Sequence, residues 1–212
     1  MADLDRIQGE ISIGCNKCYQ FYPHTQWRPT FWTLVDTSIA LQRCDEFREW
    51  DNLGTAIKVV PSYLKPICPT LGDAIHVEQH GLPEGKFGFS RNLVWGMHGG
   101  WTVIHLSLQL AYWLGASEVY LMGLDWSYTF DPETAQDDTE ANQTVVAPVE
   151  GNHAVAGYMR DGETWGIPQM DKTTESMREA RKAFDEAGRK IVNISRKSAL
   201  DVFERGTLED VL

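Results

Sequence analysis

The chain lacks a basic surplus: 19 Lys and Arg stand against 30 Asp and Glu, a formal net charge of −11. A surface that tracks a nucleic-acid backbone needs the opposite balance, so nucleic acid is not an expected partner. There is also no basic cluster to hold anionic lipid. No apolar run reaches the ~20 residues that cross a bilayer. The opening MADLDRIQGE lacks the apolar core of a signal peptide. The expectation is a cytoplasmic protein without integral membrane association. Cysteine is scarce as well. Cys15, Cys18, Cys44 and Cys68 are too few and too unevenly spaced for a disulfide scaffold in 212 residues. Cys15-Asn-Lys-Cys18 has the spacing of a redox or zinc half-site, but no second CxxC accompanies it, and it is read as inert. No internal repeat and no linker interrupts the chain, so a single domain over 1–212 is expected, folding alone or as a symmetric homo-oligomer.

What is present centres on 98–128, HGGWTVIHLSLQLAYWLGASEVYLMGLDWSY. Apolar residues at Val103, Leu106, Leu110 and Leu114, and again at Ile104, Leu108 and Ala111, predict a helix packed on more than one side. Its polar stripe is His105 with Gln109. Gly115 fits the left-handed residue that ends a helix, and Glu118 to Met122 reads as a strand covered on both faces. Gly99 and Gly100 precede Thr102, the expected N-cap. Free N–H groups at that helix start would meet a phosphate, or the glycines simply make a turn. Gly123-Leu124-Asp125 sets a carboxylate just past the strand, where open α/β sheets bind ligands. A turn or cap Asp is the other reading.

Further strands are predicted over 11–15, 30–35, 56–60 and 190–194, with a short one at 74–78. Helices are predicted over 38–50, capped by Asp36 or Thr37 and periodic through Ile39, Leu41, Phe47 and Trp50, and over 170–187, ended by Gly188. This alternation predicts an α/β protein with a doubly wound, mostly parallel sheet. Residues 126–169 carry an acidic run without apolar period, Asp131 to Asn142, and are read as a mobile active-site loop.

The motif GWTVIHLSLQLAYWLGASEVYLMGLDWSY, preceded by IGCNKCYQFYPHTQWRPTFWTLVD and followed by GNHAVAGYM and TTESMREARKAFDEAG, resembles the hydroxymethyl-dihydropterin diphosphokinase-like superfamily. That superfamily includes flagellar motility accessory factors and lipopolysaccharide-biosynthesis proteins. The resemblance extends to bacterial sialyltransferases that use a CMP-sugar donor, and it implies one Rossmann-like domain. Relatives begin with an extra strand ending in a Gly-Asn-Gly-Pro-Ser turn that holds nucleotide phosphate. This chain starts just beyond that point and is expected to lack the strand.

Carried over residue by residue, the resemblance implies that Asn16 faces the nucleotide donor and that Asp36-Thr37 forms the next donor-facing strand end. It places Gly100 to Thr102 near the donor phosphate and gives Asp125 the family's acidic position. His153, in Asn152-His153, falls close to the transferases' general-base histidine. Tyr128, with Trp27, Trp126 and Trp165, is read as stacking on sugar or base, or else as packing. The implied activity is nucleotide-dependent transfer, glycosyltransferase-like, from a nucleotide-sugar to a small-molecule or glycan acceptor with no tightly bound cofactor. The alternatives are an ATP-dependent diphosphokinase needing Mg²⁺ on Asp125 and Asp36, and a non-catalytic nucleotide- or sugar-binding module.

Overall fold

The computed structural model describes residues 2–49, 56–129, 135–139, 142–146, 152–153, 155 and 157–212. In chain order the helices are α1 (Ala2–Arg6), α2 (Thr37–Glu49), α3 (Val103–Trp113) and α4 (Met170–Glu186). The strands are β1 (Ile13–Cys15), β2 (Phe31–Thr33), β3 (Ile57–Pro61), β4 (Ile75–Val77), β5 (Gln79–His80) and β6 (Met97–His98). They continue with β7 (Glu118–Leu121), β8 (Ala135–Thr139), β9 (Asn142–Val146), β10 (Thr164–Gly166), β11 (Lys190–Asn193) and β12 (Glu204–Arg205). The architecture is mixed α/β with parallel sheets: one of order β1-β2-β3-β4, one of order β12-β11-β7 and the pair β5-β6. No helix among the described residues is long and apolar enough to cross a membrane.

The chain divides into two compact units. One unit comprises Met1–Val59, Leu64–Ile75 and Tyr128–Pro168, the other Val60–Tyr63, His76–Ser127 and Gln169–Leu212. The segment 126–169, expected as a loop, contains three strands. β8, β9 and β10 form an antiparallel sheet, Ala135 opposite Val145 and Thr164 opposite Val146. The β-branched run Thr144-Val145-Val146 favours an extended backbone that the acidic composition around it obscures. Residues 130–134 and 140–141 of the acidic run lie outside the described residues.

In the first unit, β1 pairs with β2 and β2 with β3, all parallel, Gly14 opposite Trp32 and Trp32 opposite Lys58. α2 lays Phe47 against the Trp32 ring at 5.1 Å, and both side chains are fully buried. The expected face of α2 is rotated. Leu41 is exposed, while Ala40, Arg43 and Phe47 point inward, because a carboxylate from the chain's second half neutralises Arg43. In the second unit, α3 and α4 pack Leu108, Met177, Ala180 and Phe184 with Ile191 of β11. Gly115 and Gly188 take φ of +90° and +67° at the ends of α3 and α4, the left-handed geometry for which glycine carries no Cβ penalty.

Candidate functional site

β1 delivers Asn16 at its carboxyl end. The Asn16 N–H donates to Thr33 O at 3.0 Å and its carbonyl accepts from Trp32 Nε1 at 2.8 Å, so the ladder fixes the backbone on both sides. Asn16 is thereby held at φ 50°, and its Oδ1 is buried with no hydrogen-bond partner among the described residues. Left-handed backbone and an unpaired buried acceptor each cost on the order of 1–3 kcal/mol, and such costs persist at ligand sites. Asp36 is differently employed. Its Oδ1 accepts from the N–H groups of Ser38 at 2.7 Å and Ile39 at 3.1 Å, so it caps α2, whose first residue is the exposed Thr37. The donor-facing role expected of Asp36 competes with this cap.

Lys17, next after Asn16, is fully buried. Its ammonium donates to Glu163 Oε1 at 3.1 Å and to the Tyr158 carbonyl at 2.6 Å. Arg43 grips the same carboxylate, Nε at 3.0 Å from Oε1 and Nη2 on Oε2, while its Nη1 pairs with Glu46 at 2.7 Å. Two cations and the Arg160 N–H overcome the burial that would raise the Glu163 carboxyl, and hold its pKa down at about 2. Sequence patterning does not show this network, because its members lie up to 146 positions apart.

The network anchors an aromatic cluster. His153 stacks on Tyr158, ring centroids 3.9 Å apart and planes at 24°, and stands edge-on to Trp165 at 6.3 Å. Trp165, on β10, meets Tyr128 at 5.5 Å. Asn152 pins the approach: its Oδ1 accepts from the Thr129 N–H at 2.7 Å and its Nδ2 donates to the Thr129 carbonyl at 2.5 Å. Tyr128, Asn152, His153 and Trp165 therefore come together in one unit. Trp27 and Trp126 do not serve as stacking surfaces. Both are buried, donating their indole N–H to Ser12 Oγ at 3.1 Å and Thr174 Oγ1 at 3.2 Å. In the Cys15-to-Cys18 motif Cys18 is buried and Cys15 half-buried, and desolvation pushes the Cys15 thiol up to about 11 and Cys18 well above an ordinary thiol.

In the other unit, Thr102 caps α3 as expected, its Oγ1 accepting from the Ile104 N–H at 3.3 Å. Gly100 is fixed by its neighbour. A Cβ there would lie 2.2 Å from His105 Cγ, so the missing side chain makes room for a fully buried imidazole. Gly99 is less constrained, a Cβ meeting only Gln79 Nε2 at 3.1 Å. The His105 and Gln109 stripe faces inward. Gln109 Oε1 accepts from the N–H groups of Ser90 at 2.9 Å and His98 at 3.0 Å, tying α3 to β6, and burial depresses His105 to about 4. Asp125 is exposed beyond β7, its carbonyl accepting from the Ala199 N–H at 2.7 Å, between Gly123 and Trp126 at φ of +77° and +58°. A cleft of about 490 Å³ on α4, lined by Arg178, Arg181, Lys182 and Asp201, includes none of these residues. No family model matches this chain, and no curated protein or solved structure does either.

Proposed function

We propose that the chain is a nucleotide-dependent transferase of the glycosyltransferase-like kind, on a Rossmann-like scaffold, passing a sugar from a nucleotide donor to a small-molecule or glycan acceptor. The observation that carries this reading is Asn16: a strained residue with an unpaired buried amide oxygen, at the carboxyl end of a parallel strand, where α/β sheets take ligands. A donor N–H from a nucleotide base would satisfy that oxygen. His153 supplies the acceptor's general base, removing a hydroxyl proton as the sugar transfers, and Tyr128 and Trp165 offer rings to a base or sugar. Asn152 orients the histidine loop.

An ATP-dependent diphosphokinase reading would recruit Asp36 and Asp125 to Mg²⁺, and the employment of Asp36 as a helix cap favours the sugar-transfer reading over it. The test is thermal stabilisation by CMP, CDP, UDP and ATP, each with and without Mg²⁺. Stabilisation by a pyrimidine nucleotide without metal, lost in Asn16→Ala, is the expected result. A response to ATP with Mg²⁺ alone supports the diphosphokinase instead. Binding without transfer to any acceptor reduces the protein to a nucleotide-binding module, and silence from every nucleotide overturns the proposal.

A further inference from the structure

Cys44 and Cys68 stand 24 positions apart in the chain, and no spacing motif links them. The fold nevertheless brings both sulfurs onto one hydroxyl. Thr70 Oγ1 lies 3.3 Å from Cys44 Sγ and 3.1 Å from Cys68 Sγ, and it donates to the Cys44 carbonyl at 2.6 Å. Cys44 projects from the middle of α2 and is half-buried. Cys68 is fully buried at the start of the 3-10 helix Pro69–Leu71. All three residues belong to the same compact unit. Among the described residues no group of three or more His, Cys, Asp or Glu forms a metal-ligand set.

We propose that Cys44 and Cys68 form a redox-active dithiol that closes to a disulfide under hydroperoxide, pinning α2 to the 68–71 segment. The accessible sulfur attacks and the buried one resolves. The Cys44 thiolate displaces hydroxide from the peroxide O–O bond and becomes a sulfenic acid. The Cys68 sulfur then attacks the sulfenic sulfur and expels water as its own proton leaves. Two thiols lose two electrons and two protons, and one hydrogen peroxide becomes two waters.

The electrostatics agree with this division of labour. Burial alone would raise Cys44, but its hydrogen bond with Cys68 leaves it below an ordinary thiol. Burial, then the bond to Cys44, pushes Cys68 up to about 11. The low member of such a pair is the nucleophile. The CxxC pair is placed the other way. Burial holds both Cys15 and Cys18 in the thiol form, and Cys18 Sγ is pressed to 2.6 Å of the point where a Gly14 Cβ would sit. The pair that sequence spacing would nominate for redox chemistry is therefore predicted to be slower than the pair it cannot see.

The experiment treats the reduced 212-residue chain with stoichiometric hydrogen peroxide, blocks remaining thiols by alkylation, and maps peptides without reduction. The expected result is a fall from four to two alkylated cysteines, a 44-to-68 cross-linked peptide, and Cys15 and Cys18 fully alkylated. The melting temperature of the oxidised form should rise by about 5–10 °C and return on reduction, as closing a loop of this length would produce. In Cys44→Ser the cross-link should vanish and Cys68 should stay reduced over the same time. A Cys15-to-Cys18 bridge forming first, or four thiols persisting in the wild-type chain, overturns the proposal, and neither readout depends on a variant folding.

Discussion

The ring of Tyr158 carries two neighbours at once: the His153 ring stacks on it with centroids 3.9 Å apart, and the Lys17 ammonium lies 4.2 Å from its centroid. Lys17 also takes the Tyr158 carbonyl at 2.6 Å. A buried cation thus fixes the one ring on which the proposed base rests.

That relationship separates two variants. His153→Ala should lower turnover roughly a hundredfold or more with little change in donor affinity, because proton removal is felt only in the transition state. Tyr158→Leu keeps the imidazole but removes its platform, and should lower turnover by about tenfold, through misplacement alone. A transfer or donor-hydrolysis assay with the nucleotide that stabilises the protein checks both. Full turnover in His153→Ala would leave His153 a loop residue and make Asp125 the better candidate for the base.

Asn16→Gly should move stability and binding in opposite directions. Glycine accepts φ of +50° without Cβ strain, and the variant no longer buries an unpaired oxygen, so unfolding free energy should rise by about 1 kcal/mol. Nucleotide affinity should fall at least about tenfold, the loss of one good hydrogen bond. Urea unfolding and a binding titration measure the two. Unchanged affinity in the stabilised variant would mark the strain as structural.

Glu163→Gln leaves Lys17 and Arg43 buried against a neutral amide. Stripping one partner from such a network should cost about 3–5 kcal/mol in urea unfolding. The acid response follows from the depressed carboxyl. Its stabilising effect is complete above the ordinary glutamate value of 4.5 and is lost as pH falls toward about 2. A folded variant should show a shallower decline across that window.

His105 works over a different range. Folded, it stays neutral down to about 4, whereas unfolded it takes a proton near its ordinary 6.5. The unfolded state therefore binds more protons between those values, and stability falls as pH is lowered from 6.5 to 4, by on the order of 2–3 kcal/mol. His105→Gln should flatten that stretch of the stability curve. Gly100→Ala should cost about 2 kcal/mol or more, because the imidazole 2.2 Å from the new Cβ has no room to retreat, whereas Gly99→Ala needs only a turn of the Gln79 side chain.

Local chemistry determined a good deal from sequence alone. The apolar circuit of α3, its Thr102 cap and the Gly115 and Gly188 stops depend on residues within a turn or two of one another, and each stands where periodicity and capping place it. The strand end at Cys15-Asn16 was legible for the same reason, and the end read at Met122 falls one residue past Leu121. What only the tertiary structure decided is which groups meet once the chain is folded. Arg43 turns inward because Glu163, 120 positions later, supplies its counter-charge, and it joins Phe47 on the buried side of α2. Trp27 and Trp126 are core while Trp165 joins the cluster, a distinction eight similar indoles do not announce. The acidic composition of 135–139 hid a strand that exists because β9 pairs with it. Gly100 and His105 gain their relation from the turn that folds one onto the other. Short-range steric and hydrogen-bonding preferences are written into neighbouring residues, whereas burial of charge depends on which distant group arrives to compensate it.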